Sequence, residues 1–147
     1  MNPKLLGCAI LAALATAAPA AAAVAPIVGT PLGIGTMKTP FAAKLKPGAL
    51  IVESVKVAPG GNFGWHTHGS AVAVVITSGT LTVWDSSVAN CAPQRYGKGQ
   101  AFVEPANHLH MARNDGTKPV QLYVTYLGLP TGVQPNIPGT QPAGCTP

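Results

Sequence analysis

Acidic side chains are scarce in this chain. Its 147 residues include four, Glu53, Asp85, Glu104 and Asp115, against nine lysines and arginines. The basic excess is scattered, with no cationic run and no interleaving of aromatic and basic residues, so nothing marks a nucleic-acid surface. Aromatics are few as well, and beyond residue 23 no stretch repeats apolar residues with the period of an amphipathic helix. A helical fold is thereby excluded as the expectation. No apolar run in that region approaches the roughly 20 residues that cross a bilayer as a helix.

The apolar residues that do cluster lie at the start. Lys4 precedes an apolar run over residues 5–18, and small residues with Ala-x-Ala cleavage options fill residues 20–23. That is the layout of a secretory signal peptide, residues 1–23. The stretch Leu5-Leu6-Gly7-Cys8 has the look of a lipobox, but Cys8 precedes most of the apolar run instead of ending it. The expectation is a cleaved peptide and an exported product, periplasmic or extracellular, without a stable membrane anchor. Residues 24–147 then form one domain: an arm over 24–48, a barrel over 49–127 and a Pro- and Gly-rich tail over 128–147.

Export agrees with the cysteines. Once Cys8 leaves with the peptide, Cys91 and Cys145 remain, an even count in an oxidising compartment. A disulfide between them closes a loop of about 55 residues, worth roughly 4 kcal/mol in the chain-entropy model. No His or Asn arrangement accompanies Cys91 to make it a nucleophile.

Strand signals fill the middle of the chain. Residues 49–58 are rich in Val and Ile and end at Pro59-Gly60-Gly61. Period-2 alternation puts Glu53 on the same, more apolar face as Ile51, Val55 and Val57. Residues 71–77 and 80–84 read as a hairpin turning at Ser78-Gly79, with Val72, Val74 and Ile76 facing inward. Residues 85–98 read as a polar loop around Cys91, 99–103 as a strand, 105–109 as a turn and 120–127 as the last strong strand. Short strands at regular spacing point to an all-β barrel or sandwich.

Three histidines carry the chemistry. His66 and His68 lie two apart, so an extended backbone aims both imidazoles to one side. His110 follows a separate strand. Two imidazoles from one strand and a third from another can make a metal site.

The spacing resembles the two signature motifs of the cupin superfamily, small jelly-roll β-barrels. Gly60, His66, His68 and Gly79 fall in register with the first motif, and Gly99, Pro105, His110 and Asn114 with the second. Asn107 stands where the second motif has Gly, and Asn tolerates the same left-handed backbone. At the first motif's Glu position stands Val72 (Ala73 with the longer spacing). The resemblance implies that His66, His68 and His110 ligate one divalent transition metal, Fe(II) in the first instance, with Mn, Zn, Ni or Cu also compatible. It further implies a dioxygenase-like oxidoreductase acting on a small organic substrate. Alternatives on the same barrel are a metal-dependent lyase or isomerase, or a non-catalytic binder of a small ligand or metal. A homodimer is the family-level expectation.

Glu53, on its apolar face, is the candidate to replace the missing carboxylate, as ligand or base; the other reading is an edge-strand Glu that faces solvent or pairs with Lys56 or Arg113. Glu104 reads as a loop carboxylate, His108 as a mouth-lining or exposed histidine, and Arg113 as either a rim contact for an anion or half of a surface pair. Trp65, Phe102, Met111, Tyr123 and Tyr126 read as packing or pocket wall.

Overall fold

The β-branched stretches become strands because alternate side chains can be buried between two sheets. A computed structural model describes residues 29–147; the expected signal peptide and Cys8 lie outside the described residues. In chain order the strands are β1 (Thr36–Met37), β2 (Ala49–Val57), β3 (His66–Thr67), β4 (Ala71–Ser78) and β5 (Thr80–Asp85). They continue with β6 (Gln94–Gly97), β7 (Gln100–Glu104), β8 (His110–Arg113), β9 (Val120–Leu129) and β10 (Ile137–Pro138). They form two five-stranded sheets ordered β1-β7-β4-β9-β2 and β10-β3-β8-β5-β6. This is the all-β jelly-roll barrel expected from the sequence.

Strand β9 is the spine of the first sheet, paired on one edge with β2 and on the other with β4. Its inward residues Val120, Leu122, Val124 and Tyr126 are buried beside Val72, Val74 and Ile76 of β4. Each such side chain contributes about 1.5–3 kcal/mol when fully buried. Leu81, Val83 and Ala112 close the core from the second sheet. Among the described residues no helix is long and apolar enough to cross a membrane.

Three local expectations are corrected. The hairpin expected from residues 71–77 and 80–84 does not form: β4 and β5 lie in different sheets and do not pair. Gly79, at φ 76°, turns the chain from one sheet to the other. A Cβ there would stand 3.0 Å from the Pro119 carbonyl oxygen and from Val120, so the corner is too tight for a side chain. The segment 85–98 is not all loop, because β6 within it pairs with β5. Glu104 is the last residue of β7 and not a loop residue.

The tail does more than pack. Strand β10 pairs with β3 through Ile137↔Thr67 and Pro138↔His66, and the disulfide Cys91–Cys145 anchors the chain beyond it. A second apolar cluster forms around that bond from Trp65, Trp84 and Met111. Strands β5 and β8 are therefore buried on both faces: Val83 and Ala112 face the main core, while their neighbours Trp84 and Met111 face the disulfide cluster.

Candidate metal centre

The two motifs meet because β3 and β8 are antiparallel neighbours in which His66 sits directly opposite His110. The turn between β7 and β8 is tied to the first motif as well. Asn107 adopts the left-handed backbone at φ 62°, and its N–H donates to the His68 carbonyl at 2.8 Å. The expectation that Asn could fill the motif's Gly position holds.

His66, His68 and His110 are all buried, and one ring nitrogen from each lies within 4.8 Å of the others. Each Nδ1 faces a main-chain carbonyl: Gly64 at 2.9 Å for His66, Pro135 at 2.6 Å for His68 and His108 at 2.9 Å for His110. A carbonyl can only accept, so each Nδ1 carries the proton and donates it. Each Nε2 is then left with a free lone pair. This is the outer hydrogen bonding that orients metal-binding histidines.

The carboxylate at this cluster is Glu104. Its Oε2 is 3.2 Å from His68 Nε2 and its Oε1 is 3.2 Å from His110 Nε2, with the side chain 12% exposed. His110 Nε2 is nonetheless buried without a hydrogen-bond partner. A carboxylate facing imidazole lone pairs sets acceptor against acceptor, an arrangement that only a cation between them, a proton or a metal ion, makes favourable. The donor set therefore fits a divalent metal that takes nitrogen and oxygen ligands.

The protonation of the metal-free cluster follows from burial and neighbours. Desolvation pulls His66 down to about 4, helped by the charges of His110 and His68 and opposed by the Gly64 carbonyl. Desolvation would raise Glu104, but the close approach of His110 and His68 prevails and holds it at about 2. Desolvation likewise opposes protonation of His110, yet the Glu104 carboxylate outweighs it and raises its pKa. The raised His110 and the ionised Glu104 carboxylate beside it thus favour a proton on His110 when no metal is bound.

Beside the cluster is a small cavity of about 30 Å³, enough for roughly two waters. Phe102, Leu122 and Val124 give it apolar walls, while Tyr126 and Asn136 add polar groups. The Tyr126 ring stands edge-on to His68 at 5.5 Å. Burial, and then the charges of Glu53 and Glu104, push its phenol up to about 12.

Glu53 lies on the core-facing side of β2, where it pairs with Val124 of β9. It is half-buried beside Tyr126 and does not line the cavity. Glu104 is the residue that sequence reasoning missed. The available signal was strand phase: if Phe102 faces inward from β7, Glu104 two residues later does too. His108 is partly exposed, 3.9 Å from Asp85. Arg113 pairs with Asp115 and stacks over Trp84 at 4.8 Å, the surface-pair alternative.

A two-sheet barrel that gathers three buried histidines defines a class of small metal-binding β-barrel proteins. The chain matches the Cupin domain family over residues 53–126, half of its length, and belongs to that family. No curated protein sequence matches it. Similar solved structures include the DMSP lyase DddQ from Ruegeria pomeroyi (TM-score 0.52, 20% identity, covering 60% of this chain and 42% of that one). Another is an rmlc-like cupin family protein from Methanocaldococcus jannaschii (TM-score 0.51, 18% identity, 55% of this chain and 72% of that one). A third is an oxalate oxidase (TM-score 0.50, 21% identity, 60% of this chain and 45% of that one). The chain spans less than half the length of the lyase and oxidase structures, and at these identities the likeness shows the fold.

Proposed function

We propose that this cupin is an exported metal-dependent enzyme of the dioxygenase-like oxidoreductase type, acting on a small organic anion. The observation that carries the reading is the cluster of three buried imidazoles whose Nδ1 protons are all committed to main-chain carbonyls. A bound Fe(II), or Mn, Zn, Ni or Cu in its place, would supply Lewis acidity and, for the redox-active ions, one-electron chemistry. The chain's own contribution is positioning. The main-chain carbonyls hold the rings in one tautomer, and Phe102, Leu122 and Val124 give the cavity beside them an apolar wall. Oxygen uptake by the Fe(II)-loaded protein with a panel of small diketones, catechols and hydroxy acids tests the reading. Uptake that depends on substrate and on His66 supports it. Stoichiometric metal without uptake would move the assignment to a non-redox function.

One observation favours a second reading, a lyase or isomerase on the same site. Tyr126 lines the cavity with its ring 5.5 Å from His68, so its phenol stands where it can donate a proton to a developing alkoxide. Substrate conversion without oxygen uptake, lost in Tyr126→Phe, would select it.

Export is supported by the Cys91–Cys145 disulfide, a bond that persists in oxidising compartments. For the homodimer, the outward residues Leu50 and Val52 of β2 are 69% and 56% exposed, an apolar edge suited to pairing with a second copy. Light scattering of wild type and Val52→Lys checks the assembly.

A further inference from the structure

We propose that Glu104 supplies the metal carboxylate that the first motif lacks, delivered from β7 instead of β4. The inference rests on the reading that the histidine cluster holds a metal. Its basis is a cross-strand exchange. Val72, at the motif's Glu position, is the direct antiparallel partner of Glu104. Directly opposed residues share a face and have Cβ atoms about 4.5–5.5 Å apart. A carboxylate can therefore move from β4 to β7 and still reach the same side of the histidines. Val72 is fully buried, so its own place has become core.

The geometry suits a ligand. Both carboxylate oxygens of Glu104 stand 3.2 Å from an imidazole Nε2. Two donors in adjacent positions on one ion, with bonds of about 2.1 Å, stand roughly 3 Å apart. The energetics point the same way. Three neutral imidazoles would leave a divalent ion's full charge in a buried site, whereas Glu104 cancels half of it. Glu53 has no comparable placement, since its carboxylate lies beside Tyr126 and outside the cavity.

The test is Co(II) titration of the metal-free, disulfide-intact protein, followed by calorimetry and the visible Co(II) spectrum, so that turnover plays no part. Wild type should bind one Co(II). Glu104→Gln, nearly isosteric, should weaken binding by more than about tenfold and alter the spectrum, and Glu104→Val should weaken it further. The exchange variant Val72→Glu/Glu104→Val should recover affinity to within about threefold of wild type, which a loss of folding in Glu104→Val could not mimic. Wild-type affinity and spectrum in Glu104→Gln would overturn the inference while leaving the three-histidine site standing. An exchange variant no better than Glu104→Val would also overturn it. Failure of wild type to bind Co(II) would overturn the metal reading itself.

Discussion

The Pro135 carbonyl accepts a 2.6 Å hydrogen bond from His68 Nδ1, across 67 residues of sequence. A tail residue thus sets the direction in which a motif histidine presents its lone pair. Pairing of β10 with β3, a bond from the Gly139 N–H to the Trp65 carbonyl and the Cys91–Cys145 bond keep that tail in place. Removing the disulfide (Cys91→Ser/Cys145→Ser) should cost about 2–4 kcal/mol of stability in chemical denaturation. It should also weaken metal binding by about 10–100-fold, the usual effect of losing an outer hydrogen bond to a histidine ligand. Unchanged affinity in the folded double variant would show that β10 holds Pro135 without the disulfide.

Stability of the metal-free protein should depend on pH in three windows. His66 has a folded pKa of about 4 against 6.5 unfolded, so its contribution is complete above 6.5 and is lost as pH falls towards 4. Glu104, about 2 folded against 4.5 unfolded, adds a second loss as pH falls from 4.5 towards 2. His110 is raised, so its contribution is complete below 6.5 and disappears as pH rises through its folded value. Urea denaturation across pH should place the maximum near 6.5, with an acid-side loss on the order of a few kcal/mol. Metal binding should weaken on the acid side too, because the ligands must be free of protons.

Glu53→Gln should leave metal stoichiometry unchanged, because the Glu53 carboxylate lies beside Tyr126 and outside the cavity at the histidines. It should lower the Tyr126 phenol from about 12 towards its ordinary value by removing the carboxylate beside it. Ultraviolet titration in a Tyr96→Phe/Tyr123→Phe background isolates that phenol. Loss of metal in Glu53→Gln would return Glu53 to the ligand role that the sequence suggested for it.

Asn114→Ala should destabilise the barrel by about 2–4 kcal/mol without a direct effect on the metal ligands. Its fully buried amide donates to the Val57 and Lys118 carbonyls at 2.9 Å each and accepts from the Gly116 N–H. One side chain thus joins the end of β2 to the turn before β9. Thermal melting of the metal-free variant measures the loss, and a melting curve matching wild type would refute this bracing role.

The histidine triad was legible because His66-Thr67-His68 is a local pattern and His110 falls in a second motif of fixed spacing. The position of Asn107 was legible for the same reason, since its backbone conformation is a property of one residue in one turn. The break at Ser78-Gly79 was also visible, but not its outcome. A glycine turn between two strands serves a hairpin and a corner between sheets equally well, and pairing with β7 and β9 decides which forms. Glu104 stayed hidden because Pro105 beside it reads as the start of a turn, which put Glu104 in a loop and not on the last position of β7.

By itself, the order of residues determined the all-β class, the three clustered imidazoles and the two cysteines available for a cross-link, since each depends on strand alternation or motif spacing. Tertiary structure decided which carboxylate meets the imidazoles and what the tail is for. Both depend on register between strands distant in sequence: β4 against β7 brings Glu104 opposite Val72, and β3 against β10 lays Pro135 beside His68. Shifting a strand by one residue sends every side chain to the other face, so the register of β7 against β4 is what carries Glu104 to the histidines.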